Sequence, residues 1–388
     1  MKKLKQLFML DPEITYLNHG SFGATPRPVF EVYQNYQRQL EKQPVLFLGR
    51  MHTQLFKEAR TALGKFLNAN PDDLAFIPNV TFGINVIANS ISLKPGDEVL
   101  STDHEYGACD LAWNYYCDRA GAKYVKKEIS LPIQSDEQII EQIWAGVNSK
   151  TKVLFLSHIT SPSAIRFPVE KLCEKARTNG IISVIDGAHA IGQIPLDFDR
   201  ITVDFYTSNC HKWALAPKGA AFLYVRHEVQ QTLKPLVVSW GFGHDPSSGT
   251  GSRFLDMMQW NGTMDPSAML TVPFGLKFME DHDWESVRQK CHEILSFTLD
   301  GICDLTGIET IYPGSSGYFA QMGSARLPDQ TDLNKLKIIL YDDYKIEIPL
   351  TQQGKNKYIR VSIQGYNDFE DGNKLINALK SHLFECLE

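Results

Sequence analysis

The run Ile181-Ile182-Ser183-Val184-Ile185-Asp186-Gly187-Ala188-His189, with Ser208-Asn209-Cys210-His211-Lys212-Trp213 downstream, decides the fold of this chain. Continuous rather than alternating apolarity from Ile181 to Ile185 is the pattern of a strand covered on both faces, which belongs in a parallel sheet. The strand ends in an acid, Asp186, with His189 close behind. In open parallel sheets ligands bind beyond the carboxyl ends of the strands, so an acid there is a candidate for chemistry. Lys212 stands behind a polar turn, flanked by His211 and Trp213.

The same pattern recurs on either side of this stretch. Apolar runs at Leu74–Ile77, Glu98–Leu100 and Lys152–Leu156 stop abruptly at Asn79-Val80-Thr81, Asp103-His104 and Ser157-His158. Between Lys152–Leu156 and Ile181–Ile185, Pro168–Asn179 puts Val169, Leu172, Cys173 and Ala176 on one helical face, with Gly180 as its stop. Strand, helix and strand make a unit whose crossover is right-handed. Ala220–Arg226 reads as an antiparallel member of the same sheet. The expected fold class is therefore α/β, a large domain with a mostly parallel sheet covered by helices and a smaller α+β C-terminal domain. In the latter, Tyr358–Ile363 alternates strictly, so Ile359, Val361 and Ile363 face a core and Arg360 points the other way. Phe369–Leu383 reads as a final amphipathic helix.

A length of 388 residues exceeds what one core serves, and two domains are expected. Their boundaries are placed at 15–265 for the large domain, with 1–14 and 266–388 forming the small one. A net charge of -6 offers no field to hold nucleic acid or an anionic membrane surface, which leaves small molecules and other copies of the chain as partners. Leu7–Leu10 is too short for a secretory signal and no run is long enough to span a membrane, so the expected location is the cytoplasm. The 7 cysteines form no CxxC pair, which argues against a disulfide framework and against a bound metal.

An acid at a strand end and a lysine after a polar turn match the needs of pyridoxal phosphate (PLP). Its aldehyde takes a lysine amine as a Schiff base, and its pyridine nitrogen takes a carboxylate that keeps it protonated. Lys212 and Asp186 fit these roles. Taken singly, an Asp caps a helix and a Lys is a surface charge, and only the combination favours catalysis. Val80 and Thr81 stand at a helix N-terminus, where free N–H groups attract phosphate. His104 is a catalytic candidate that would stack on the ring, and Tyr106 is a second aromatic candidate. His189 would reach the phenolic oxygen. Ser208 and His211 are candidate phosphate ligands, and Arg360 is a clamp for a substrate carboxylate. Asn18 and His19 lie in a glycine-broken loop, Tyr16–Ala24, which is either a turn or a binding loop. The Gly/Ser-rich stretch Gly241–Gly251 lacks nucleotide-binding spacing and is expected to be a mobile loop near the site.

With these residues in hand, the chain resembles the class V aminotransferase-fold PLP enzymes, in particular the isopenicillin N epimerase-like branch. The matching segments run in order from Tyr16-Leu17-Asn18-His19-Gly20-Ser21-Phe22-Gly23 through Gln43-Pro44-Val45, Asn79-Val80-Thr81, Asp103-His104-Glu105-Tyr106 and Ser157-His158-Ile159-Thr160-Ser161. They continue through Asp186-Gly187-Ala188-His189-Ala190, Asn209-Cys210-His211-Lys212-Trp213 and Trp260-Asn261-Gly262-Thr263 to Ile359-Arg360-Val361-Ser362. The resemblance implies a fold-type I homodimer with active sites at the subunit interface. It implies that Lys212 carries the cofactor, Asp186 pairs with the pyridine nitrogen, Thr81 and Ser208 hold the phosphate, and Thr263 reaches it from the neighbouring subunit. Where related cysteine desulfurases have an Asn near the phenolic oxygen, this chain has Ser161, and their loop cysteine is missing from Thr351–Lys357. The expected activity is removal of the Cα proton of an α-amino acid, epimerase-like. C–S lysis and transamination on the same cofactor are the alternatives, with a non-catalytic PLP-binding scaffold behind them.

Overall fold

A computed structural model of the chain describes residues 2–243, 249–312 and 316–387. Its centre is a seven-stranded sheet built from β1 (Leu74–Ile77), β2 (Glu98–Thr102), β3 (Lys123–Lys127), β4 (Thr151–Ser157), β5 (Ile182–Asp186), β6 (Phe205–Asn209) and β7 (Ala221–Val225). The spatial order is β1-β7-β6-β5-β4-β2-β3. Strands β3, β2, β4, β5 and β6 pair in parallel, while β7 is antiparallel to both β6 and β1. The direction of the chain across the sheet reverses between β2 and β4. That reversal is the crevice where such sheets bind ligands.

The continuous apolar runs resolve into two layers because successive side chains of a strand point to opposite faces. Leu154, Leu156 and Ile185 enter one core, while Val153, Phe155 and Val184 enter another on the far face. Helices Val80–Ser90 and Gly107–Ala120 cover the second face with Ile84, Ile87, Cys109 and Trp113. Helix Val169–Thr178 covers the first with Val169, Leu172, Cys173 and Ala176, the face expected from its spacing. Trp113 and Trp213 are fully buried, and truncating either to Ala would cost about 3–5 kcal/mol.

The C-terminal part carries a three-stranded antiparallel sheet, β9-β10-β8, of β8 (Met322–Leu327), β9 (Leu350–Gln353) and β10 (Asn356–Ser362). Helices Trp284–Thr306 and Phe369–His382 pack together beside it. A capping box at Asp368 and Asp371 opens the second helix. Chain ends meet here, because Thr15 and Tyr16 pair in parallel with Ile346 and Glu347. No helix among the described residues is long and apolar enough to cross a membrane.

Two expectations are corrected, and one strand had no sequence signal. Ser208 and Asn209 are not part of a turn but close the buried strand β6. Their neighbours disguise it, since the polar groups of Thr207 and Ser208 are satisfied by the carbonyls of Phe222 and Gly187. Strand β3, Lys-Tyr-Val-Lys-Lys, has too little apolarity to announce itself because it is an edge strand blunted by lysines. Strand β10 is buried on both faces, Tyr358 and Arg360 as well as Ile359 and Val361, because its second face packs against the large sheet's ligand end. Part of the Gly241–Gly251 stretch, residues 244–248, lies outside the described residues.

Candidate active site

At the carboxyl ends of β4, β5 and β6 lies a pocket of about 150 Å³, walled by Ser21, Phe22, Asn79, Val80, Thr81, Tyr106, Ser157, Ser161, Asp186, His189, Asn209, His211 and Lys212 among others. Its floor is Asp186. The Oδ1 atom accepts from the N–H of Ala188 at 2.8 Å, and Oδ2 accepts from the Cys109 thiol at 3.4 Å. Burial raises the Asp186 carboxyl above its usual range, while the Ala188 N–H, the Lys212 charge and the Cys109 thiol pull it back.

Lys212 is half-buried on the pocket wall. Burial, with the nearby Arg360 charge, pulls its amine down to about 7, and Asp186 opposes the shift. An amine in that state is half-deprotonated at neutral pH and therefore a nucleophile and a base. Its Nζ is 3.2 Å from His189 Nε2. The tautomer of His189 follows from its other contact. The Trp213 indole N–H only donates, and it donates to His189 Nδ1 at 3.3 Å, so the ring proton sits on Nε2, aimed at Lys212. Burial holds this ring neutral.

Behind Lys212, the N-terminal loop presses on its backbone. His19 Nε2 donates to the Lys212 carbonyl at 3.0 Å, and His19 Nδ1 accepts from the Tyr366 hydroxyl at 2.9 Å. A Cβ on Gly23, whose φ is +70°, would meet the His211 carbonyl at 2.0 Å, so only glycine allows this approach. His19 thus positions the lysine loop from behind and is not on the pocket wall. Asn18 also lies off the wall, donating to Glu347 Oε1 at 2.9 Å and accepting from the Ser21 hydroxyl at 2.5 Å.

Arg360 stands behind Ser21 and Ser161. Its Nη1 donates to the Ser161 carbonyl at 2.6 Å and hydroxyl at 3.1 Å, and Nη2 donates to the Ser21 hydroxyl at 3.2 Å. Its Nε is buried with no partner among the described residues, and burial lowers the guanidinium to about 10. A buried cation held only by neutral groups lacks its counter-anion. The site therefore fits an anionic ligand.

One end of the pocket is a helix N-terminus. Asn79 caps helix Val80–Ser90 by accepting from the Phe82 N–H at 2.9 Å, which leaves Val80 and Thr81 on the wall. Asn209 accepts from the Val80 N–H at 3.0 Å and joins that wall. His211 is on the wall too, with Nδ1 donating to the Ala220 carbonyl at 3.3 Å and burial lowering its ring to about 4.

Two further site expectations are overturned. His104 does not face the pocket; its Nδ1 is 2.7 Å from the Ser163 hydroxyl and it is buried towards Asp103, while Tyr106 takes the wall. Ser208 donates to the Gly187 carbonyl and is also off the wall. A one-residue step along a strand reverses the face, so the wall residue is Asn209, which the two-residue periodicity of β6 identifies once the strand is recognised. Ser157 and Ser21 were missed as well, the first legible as a polar strand end and the second brought in only by tertiary contact. Thr263 is exposed and outside this pocket.

The model of the family described as Aminotransferase class-V matches residues 15–375. The chain belongs to the class V aminotransferase family. It is an enzyme, and PLP is its cofactor. This class V enzyme is 34% identical over 96% of each chain to the isopenicillin N epimerase of Amycolatopsis lactamdurans. With the isopenicillin N epimerase of Streptomyces clavuligerus it shares 32% over 96% of this chain and 95% of that one. A protein of Arabidopsis thaliana described as "Probable L-cysteine desulfhydrase, chloroplastic" is 27% identical, over 97% of this chain and 85% of its own. Among solved structures, a cysteine desulfurase from Thermococcus onnurineus NA1 superposes with a TM-score of 0.83 at 20% identity, covering 99% of this chain and 98% of that one. The cystine C-S lyase C-DES, in complex with cysteine persulfide, gives 0.83 at 22%, covering 95% of this chain and 98% of its own. At such identities these structures establish the shared fold-type I architecture.

Proposed function

We propose that this class V enzyme epimerises an α-amino acid, or the free amino-acid end of a small peptide, at Cα. The observation that carries the proposal is the pair of epimerases matched end to end at 34% and 32% identity, against 27% for a desulfhydrase that has additional length of its own. The orphaned Arg360 Nε, the neutral Lys212 amine and the helix N-terminus at Thr81 fit PLP and an amino-acid carboxylate together.

In this reading Lys212, Asp186, His189, Val80, Thr81, Asn209 and His211 hold the cofactor. When bound, it supplies an acceptor for the electrons left at Cα after a proton is removed. Asp186 would hold a proton on the ring nitrogen, and His189 would offer its Nε2–H to the phenolic oxygen. Arg360 binds the substrate carboxylate and fixes which Cα bond faces Lys212 Nζ, which takes the proton. Inversion needs a second proton carrier, and Tyr106 is the wall residue proposed for it; His19 is occupied at both ring nitrogens. Phe22 and Tyr106 are 69% and 49% exposed at the pocket wall. Such aromatic exposure supports a homodimer in which the neighbour covers this mouth and contributes Thr263.

The test is an NMR assay of the PLP-loaded protein in D2O with L-amino acids, cysteine derivatives and small peptides. Deuterium at Cα with the opposite stereoisomer and no keto acid supports epimerisation. Release of pyruvate and a thiol replaces it with C–S lysis.

A further inference from the structure

The face of the small sheet that carries Arg360 continues past the active-site pocket into a second cleft. Side chains two apart on a strand share a face, so Tyr358 of β10 points the same way as Arg360. Arg326 of β8 stands directly opposite Tyr358, and Gln353 of β9 stands opposite Asn356, which puts both on this face too. With the loops that follow β2 and β3, these residues wall a cleft of about 570 Å³. It shares no wall residue with the pocket at Lys212.

Three of its wall residues bury a polar atom that has no partner among the described residues: Arg326 Nε, Tyr358 Oη and Gln353 Oε1. Arg326 spends Nη2 on Asp329 Oδ1 at 3.0 Å, which leaves the Nε–H unused. Gln353 Nε2 donates to the Asp103 carbonyl at 2.9 Å. A carbonyl only accepts, so this bond fixes the amide's orientation and makes the oxygen the orphan. Tyr358 is wholly buried, and the Asn356 and Arg326 groups near it lie outside hydrogen-bond geometry with its hydroxyl. Buried polar groups are costly to leave unpaired, and three gathered on one wall mark a place built for a polar ligand.

The three atoms divide by chemistry. Arg326 Nε and the Tyr358 hydroxyl donate, as a carboxylate requires. Gln353 Oε1 accepts, as an ammonium requires. Two residues along a strand is about 7 Å, so the two kinds of partner are separated by the reach of a small molecule with one charge at each end. The cleft as a whole is balanced in the same way, with Asp103 and Glu128 against Arg326 and Lys355. We propose that this cleft is a second binding site, apart from the catalytic one, for a free α-amino acid. The carboxylate lies on Arg326 and Tyr358, and the ammonium lies on Gln353.

The test uses PLP-loaded enzyme in which borohydride has fixed the Lys212 linkage, so that no amino acid can join the cofactor. Binding of glycine, acetate and methylamine is followed by saturation-transfer NMR in wild type, Y358F and R326Q. Glycine should bind saturably, with acetate and methylamine at least about tenfold weaker because each offers only one of the two charges. Y358F and R326Q should each weaken glycine binding about tenfold or more. Without glycine, Y358F should melt no lower than wild type, since the hydroxyl it removes has no partner to lose. Equal glycine affinity in Y358F and wild type, or acetate binding as tightly as glycine, would overturn the proposal. Absence of saturable glycine binding to the wild type is equally fatal and leaves the cleft to water. If R326Q does not fold, Y358F decides alone. The reduced enzyme turns nothing over, so each outcome is independent of the reaction at Lys212.

Discussion

The floor and the wall of the pocket are built in opposite ways. On one side, Asp186 at the floor and Ser157 and Asn209 on the adjoining wall are last residues of strands in one sheet, positioned by the register of neighbouring strands. On the other side, behind the wall, Arg360 is held by Ser161 and Ser21, partners 199 and 339 residues away in sequence. The floor is anionic with a carboxyl held back by burial, and behind the wall Arg360 has no carboxylate partner within ion-pair reach among the described residues. Keeping the two apart lets each stay reactive, because a direct Lys212–Asp186 or Arg360–carboxylate pair would neutralise the groups that a ligand needs.

The largest break in this comparison comes from Lys212→Ala. Cofactor-linked turnover should fall by about 10³-fold or more, since nucleophile and base are removed together. The absorbance of covalently held cofactor should vanish, and activity surviving at wild-type level would leave the protein a scaffold. Behind the wall, Arg360→Lys keeps the charge but loses the fork. A loss of about 1.5–3 kcal/mol, roughly 10- to 100-fold, is expected in kcat/KM and should appear mainly in KM for carboxylate-bearing substrates.

The depressed amine sharpens the contrast through pH. Because the unprotonated form reacts, the rate at which cofactor-free protein takes up PLP should rise about tenfold per unit below pH 7 and level off above about 7. A midpoint near 10.5 would show that Lys212 is not desolvated. The smallest effect separates adjacent residues. Asn209→Ala should weaken PLP affinity several-fold in an equilibrium titration, while Ser208→Ala leaves affinity unchanged and costs about 1 kcal/mol of stability for its lost bond to Gly187.

These same two regions explain what could be read from the sequence. The floor was legible because a buried strand and its terminal acid are local facts: four apolar residues about Ser183, followed by Asp186, need no distant partner to be recognised. The antiparallel β7 and the capped helix at Thr81 were legible for the same reason. Ser208 in place of Asn209 shows the limit, because an unrecognised strand carries no parity. His104 in place of Tyr106 shows it again, since loop residues after β2 have no period to say which side chain turns inward. Ser21's contact with Arg360 had no local signal at all.

The clasp between Ser21 and Arg360 also sets a timetable. On the ribosome, residues 15–23 emerge early and must wait for β10 before Thr15, Asn18 and Ser21 find Ile346, Glu347 and Arg360. The central sheet can form first, since its strands end at Val225. Closing so long a loop is slow relative to local folding. The nascent chain therefore passes through a stage with its floor assembled and Arg360 not yet in place, and the pocket is complete only once β10 has been made.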